Sequence, residues 1–144
     1  PKMIMQFRKS LKESLDAVSL SSDFINRSLN VGASGGEKKR LEVAQILTLK
    51  PKIVLLDEID SGLDIDSAKL VANAIKEMRK EKISALIITH YPRIIDYLEP
   101  EKVHIISNGK IICSRGIELA HALEKKGYDW VLNECCSENG DLNG

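Results

Sequence analysis

The chain lacks an excess of either charge: 21 Lys and Arg stand against 21 Asp and Glu, so its formal net charge is zero with histidine neutral. A general nucleic-acid or anionic-membrane binder needs a basic field to gather phosphates, and the balance argues against that class, leaving only a local patch open. Long hydrophobic runs are also missing. The longest, at 53–56 and 86–88, fall far short of the ~20 apolar residues that cross a bilayer, and no charged-then-apolar leader opens the chain. Neither nucleic-acid binding nor membrane insertion is therefore expected. Cysteine is sparse: three residues, two of them adjacent at Cys135 and Cys136 in a polar tail, do not make a paired disulfide framework. A reducing setting, cytoplasmic or of the plastid type, is expected. No internal repeat or long low-complexity stretch is present.

What remains is 144 residues, 43% hydrophobic, enough to bury one real core and better suited to one domain than two. The chain begins at Pro1 rather than methionine, and its first interpretable pattern is already a helix. A part of a longer protein is the expectation.

Along the chain, Ile4, Phe7, Leu11, Leu15 and Val18 recur at three- and four-residue steps and predict an amphipathic helix over 2–18. Ser21, Ser22 and Asp23 predict a short second helix over 24–28. A small-residue loop at 30–36 runs into a charged helix over 37–49, which Pro51 stops. Four consecutive large apolar residues at 53–56 predict a strand buried on both faces, and 84–89 repeats the pattern. Between them a helix is expected over 67–80, and Pro92 opens another over 92–98. Asn108-Gly109, flanked by 103–107 and 110–114, predicts a hairpin. A last helix is expected over 117–126, and 133–144 reads as a disordered tail. This order predicts an α/β fold: a parallel sheet with flanking helices on both faces, and the hairpin adding antiparallel strands at an edge.

Ligands in such sheets bind beyond the carboxyl ends of the strands, where Asp57, Glu58 and His90 are expected. A carboxylate there can hold magnesium through its waters, and a second one residue on can take a proton from an attacking water; a solvated acidic turn is the plain alternative. His90 suits sensing a terminal phosphate or orienting water, or is simply a hydrogen-bonded loop residue. Ser34-Gly35-Gly36 precedes a helix, where absent Cβ atoms and free N–H groups favour an anion, or where Ser34 is an ordinary N-cap. Lys38, Lys39 and Arg40 read as a solvated face. His104 and His121 read as packing or surface residues, and Cys135 with Cys136 has no nearby metal-ligand partner.

Taken together and in order, these segments resemble the ATP-binding-cassette (ABC) ATPases. Val31-Gly32-Ala33-Ser34-Gly35-Gly36-Glu37 is similar to their signature loop, Ile53-Val54-Leu55-Leu56-Asp57-Glu58 to their Walker B strand, Ser61-Gly62-Leu63-Asp64 to their D-loop, and His90 to their switch histidine. The flanks narrow the resemblance. Leu29-Asn30-Val31-Gly32, Gly36-Glu37-Lys38-Lys39-Arg40, Thr89-His90-Tyr91, Arg93-Ile94-Ile95-Asp96-Tyr97 and Gly127-Tyr128-Asp129-Trp130 resemble the SufC family, the ABC-type ATPases of the SUF iron–sulfur cluster assembly machinery. Ala33 departs from it, a larger apolar residue being usual there.

The resemblance implies ATP hydrolysis between two head-to-tail copies, with SufB and SufD scaffold proteins as partners. Asp57 would hold Mg2+, Glu58 would polarise water, and His90 would contact the terminal phosphate. Ser34, Gly35, Gly36 and Glu37 would serve the nucleotide of the opposite copy, and Asp64 would couple the two sites. It also implies a partial helical subdomain over 1–49 and part of an α/β core over 50–132. One departure is an absence: no Gly-x-x-x-x-Gly-Lys-Ser/Thr loop occurs among these residues, nor the family's glutamine loop. The chain is expected to be the C-terminal part of such an ATPase and to bind ATP poorly alone. Open alternatives are a non-catalytic partner-binding module, a transporter ATPase, and a DNA-maintenance ATPase of the SMC type, whose long heptads before the signature are not seen.

Overall fold

The structure, a computed structural model, describes residues 2–29 and 31–135. It falls into two compact units, Pro1–Leu98 and Glu99–Gly144.

In the first unit, α1 (Lys2–Ala17) follows the predicted periodicity and buries Leu15, with Val18 and Leu20 buried just beyond it. Ser19 takes a left-handed conformation (φ 51°), and the Leu20 N–H then donates to the Leu15 carbonyl at 2.9 Å, which ends the helix. A 3-10 turn at Ser22–Asn26 replaces the expected short helix over 24–28. Next comes α2 (Gly35–Leu49), whose buried Leu41, Val43 and Ala44 pack towards α1 and α3. Arg40 is not part of a solvated face. It is half-buried, and its Nη1 donates to the carbonyls of Ser19 at 3.1 Å and Val18 at 3.4 Å, so it caps the exposed end of α1.

Strands β1 (Ile53–Asp57) and β2 (Ser84–Ile88) pair in parallel, Ile53 opposite Ser84 through Asp57 opposite Ile88. The helix α3 (Ile65–Met78) connects them, with Val71, Ala72, Ala74, Ile75 and Met78 in the core, and α4 (Pro92–Leu98) follows β2. The expectation of strands buried on both faces is corrected here. Val54 and Leu56 are buried, but Ile53 and Leu55 are 68% and 74% exposed, as are Leu86 and Ile88 at 56% and 58%. Strand side chains alternate between faces, and in this chain the helices cover only the face that carries Val54 and Leu56.

In the second unit, β3 (Val103–Ser107) and β4 (Lys110–Arg115) form the predicted hairpin. Asn108 (φ 49°) and Gly109 (φ 74°) both take the positive φ that a two-residue turn of this hand requires. The hairpin is a two-stranded sheet of its own rather than an extension of β1 and β2, a second correction. The helix α5 (Glu118–Trp130) runs past the expected end at 126 through a kink at Gly127, and a π turn, Val131–Cys135, follows. A small core of Ile105, Cys113, Leu119 and Val131 holds this unit. Cys113, 2% exposed, is disulfide-bonded, where the sparse cysteines led to the expectation of a reducing setting: cysteine count alone does not say which sulfurs meet. The rest of the expected disordered tail, 136–144, lies outside the described residues. No helix among the described residues is long and apolar enough to cross a membrane.

Candidate functional site

β1 ends in Asp57, whose side chain is exposed. Glu58 then turns the chain sharply. Its φ of 46° lies in the left-handed region, a costly conformation for a residue with a Cβ. Two contacts hold it there: its N–H donates to the Ile88 carbonyl at the end of β2 (2.9 Å), and its Oε1 lies 3.1 Å from Nδ1 of His90. Where the carboxylate accepts from the ring, the proton of this contact sits on Nδ1, and Nε2 makes no part of it. Both side chains are about half exposed, at 51% for Glu58 and 53% for His90, so the pair is within reach of a ligand. The Tyr91 ring lies against the imidazole, its centroid 4.1 Å away.

Behind this pair runs a second link between the same two strand ends. Thr89 Oγ1 donates to Asp60 Oδ2 at 2.8 Å and accepts the Tyr91 N–H at 3.0 Å. Asp60 is 6% exposed, and its Oδ1 is buried without a hydrogen-bond partner. Asp60 heads the segment 60–66 that resembles the SufC family, but as a third acidic residue close behind Asp57 and Glu58 it suggested no role of its own.

Asp64 is the N-cap of α3. Its Oδ1 accepts the Ser67 N–H and its Oδ2 the Ser67 hydroxyl, both at 2.8 Å, and the helix therefore starts at Ile65, ahead of the expected 67. The Ser67 N–H first, and its hydroxyl second, hold the Asp64 carboxyl below the usual aspartate range.

Ser34 caps α2 in a full capping box: its Oγ accepts the Glu37 N–H at 3.3 Å, and Glu37 Oε2 accepts the Ser34 N–H at 2.8 Å. That backbone N–H, followed by the Ser34 hydroxyl, pulls the Glu37 carboxyl below the usual glutamate range. Gly35 and Gly36 form the first turn. A Cβ on Gly35 would meet nothing within 4 Å, and one on Gly36 only Leu63 Cδ2, at an ordinary 3.6 Å. Neither glycine has a positive φ, so neither packing nor backbone conformation within the chain calls for them.

Asp57, Glu58 and His90 are thus brought together at the carboxyl end of the sheet, as expected, with Asp64 in the turn that follows. Ser34 to Glu37 form a separate cap at the start of α2. Asp57 also borders an open cleft of about 320 Å3, lined among others by Glu42, Gln45, Leu49 and Leu55. No trio of His, Cys, Asp or Glu side chains converges as a metal site among the described residues. A magnesium ion would thus take Asp57 as its one carboxylate and its other oxygens from water and phosphates, a ligand set usual for that ion.

No protein-family model matches the chain. Curated proteins do: the chain is 45% identical over 131 residues to "Vegetative protein 296" of Bacillus subtilis, covering 91% of the chain and 50% of that protein. It is 42% identical over 128 residues to the "Probable ATP-dependent transporter SufC" of Escherichia coli, covering 89% of the chain and 52% of that protein. The chain is related to the SufC-type ABC ATPases. A "Probable ATP-dependent transporter ycf16" of Cyanophora paradoxa, 46% identical over 130 residues, covers 90% of the chain and 50% of that protein. The SufC-like chain therefore spans about half the length of the curated relatives it matches. Among solved structures, an ATP-binding cassette of an ABC transporter in its ADP conformation superposes with a TM-score of 0.67 at 24% identity, covering 90% of the chain and 50% of that cassette. A bacterial Atm1-family ABC exporter with ATP bound gives 0.65 at 18% identity, covering 95% and 24%. At these identities the structures show the fold, and the fold is that of an ABC cassette.

Proposed function

We propose that the complete protein hydrolyses ATP at the strand ends that carry Asp57, Glu58 and His90, in the service of iron–sulfur cluster assembly. The Glu58–His90 contact at 3.1 Å is the observation that carries this reading: a base and a histidine from two neighbouring strands converge where the fold places ligands. Glu58 polarises the attacking water and accepts its proton, and His90 donates to the terminal phosphate. Asp57 would hold magnesium, which when bound would neutralise charge on the phosphates. Phosphoryl transfer asks mainly for positioning and charge stabilisation, and these residue types supply both.

Ser34, Gly35, Gly36 and Glu37 make the other half of the site, facing the nucleotide of a second copy arranged head to tail. Support comes from the helix start itself. Its N–H groups favour an anion, and the glycines leave open the space that a Cβ on Gly35 would take. Asp64, at the turn between the two strand ends and α3, couples the two sites. In this reading 1–49 is the helical, signature-bearing part of the cassette and 50–132 part of its α/β core, the chain being the portion after the phosphate loop. Partners are SufB- and SufD-like scaffold proteins, and the setting is cytoplasmic or plastid-type. The test is ATP turnover of the complete protein: a Glu58→Gln variant that hydrolyses ATP at the unaltered rate removes Glu58 as the base and the reading with it.

A further inference from the structure

Asp60 is a buried acid that the proposed chemistry does not use. We propose that it is a positioning residue: through Thr89 it holds the loop that carries His90 and so fixes the imidazole against Glu58. The inference rests on the hydrolysis reading above and deepens it.

The geometry is closed on every side but one. Thr89 Oγ1 donates its single proton to Asp60 Oδ2 at 2.8 Å and uses a lone pair for the Tyr91 N–H at 3.0 Å, so the hydroxyl has one orientation. The turn thus tied, Thr89 to Tyr91, has His90 as its middle residue. Asp60 itself lies two residues after Glu58 and is anchored by its neighbours: the Leu63 N–H donates to the Asp60 carbonyl at 3.2 Å, and the Ser61 N–H to that of Glu58 at 3.0 Å. Beyond the backbone bond from the Glu58 N–H to the Ile88 carbonyl, two side-chain links therefore join the ends of β1 and β2, Glu58–His90 at the surface and Asp60–Thr89 in the interior.

Packing alone does not account for a carboxylate here. A neutral amide would accept one hydroxyl proton at less desolvation cost, and Oδ1 of Asp60 is buried with no donor. What the side chain supplies is an acceptor for the Thr89 hydroxyl at 2.8 Å, which fixes that hydroxyl and the turn behind it. A misplacement of about 1 Å at a reacting group costs on the order of 100-fold in rate, which sets the scale of what a loose His90 loop would lose.

The experiment is steady-state ATP hydrolysis by the complete protein, with thermal melts alongside. Thr89→Val keeps the shape and removes the hydroxyl; the expected result is a kcat lower by about 10- to 100-fold at an unchanged KM for ATP. Thr89→Ser, which returns the hydroxyl, restores most of it. In a His90→Ala background Thr89→Val lowers kcat less than about twofold further, because the group it positions is gone. An equal fold-loss in both backgrounds, a failure of Ser to rescue, or a loss seen only in KM overturns the proposal. Should Thr89→Val not fold, Asp60→Ala, which removes the acceptor, carries the test, and an undiminished kcat there overturns it. If Glu58→Gln and His90→Ala themselves leave turnover intact, the hydrolysis reading fails and this one with it. If they reduce turnover while Thr89→Val does not, only the positioning role is lost.

Discussion

Nδ1 of His90 and Oε1 of Glu58 lie 3.1 Å apart, so two side chains from separate strand ends act as one polar unit. Groups that act as a unit do not contribute additively. If the proposed hydrolysis holds, Glu58→Gln in the complete protein is expected to lower kcat by about 100- to 10,000-fold, the range for loss of a general base. The double variant Glu58→Gln/His90→Ala is expected to be little worse than the poorer single one. Phosphate release at saturating ATP reads both, and a double variant whose loss equals the product of the two single losses would separate the residues.

Gly35 offers a prediction in which stability and function move in opposite directions. Its missing Cβ faces open space and its backbone is not left-handed, so Gly35→Ala should raise the stability of the chain by about 0.4–1 kcal/mol, chiefly by restricting the unfolded state. In the proposed head-to-tail pair, the same methyl would stand where a phosphate of the opposite copy approaches. A higher melting temperature together with reduced ATP hydrolysis by the complete protein is the expected pair of results, and full activity would assign the glycine to neither packing nor nucleotide.

The cap on α2 predicts both a mutational cost and a pH dependence. Ser34→Ala removes the acceptor for the Glu37 N–H and should destabilise the chain by about 1 kcal/mol, read by urea unfolding. The Glu37 carboxyl is held below its usual range in the folded chain, so the unfolded chain takes up its proton first as pH falls. Its contribution is therefore complete above the ordinary glutamate range and is lost as pH drops through the lower folded value, in the acid region below about pH 5. Asp64, held down by Ser67, behaves in the same sense. Melting curves across that range should be flatter for Glu37→Gln than for the unaltered chain; an identical acid limb would remove Glu37 from the cap's energetics.

The two faces of β1 can be told apart by a matched pair of substitutions. Leu56 is 5% exposed and Leu55 is 74% exposed, although they are neighbours of the same type. Leu56→Ala should cost about 2–5 kcal/mol and Leu55→Ala roughly a tenth of that or less in this chain, by denaturant unfolding. Equal costs would mean that the outer face is covered in solution.

The same strand shows what a sequence can disclose. The cap of α2 was legible because capping is local: Ser34 and Glu37 are three residues apart. The equally local cap of α3, Asp64 with Ser67, went unread, and that helix was expected two residues late. The hairpin was legible because Asn108 and Gly109 both tolerate positive φ. The apolar run of β1 identified a strand but not its cover, since Ile53-Val54-Leu55-Leu56 reads the same whether one face is packed or two. Glu58 and His90 were placed at one sheet edge by the α/β pattern, while the ring-to-carboxylate contact depends on the left-handed turn at Glu58, which no residue type announces. Asp60 was missed for a related reason. Its burial and its bond to Thr89 are long-range facts, and a third acid near two others looks like a solvated turn.

The kink at Gly127 brings Lys126 Nζ to 4.3 Å from the centre of the Trp130 ring, and Trp130 is the single tryptophan of the chain. Intrinsic indole emission is therefore a signal from the hairpin unit alone. An unfolding curve followed at tryptophan wavelengths would report the small core of Ile105, Cys113, Leu119 and Val131, while the unit that carries Glu58, His90 and Ser34 could melt unseen. Far-ultraviolet dichroism, to which both units contribute, would show that melting, and any gap between the two curves would measure how independently the units unfold.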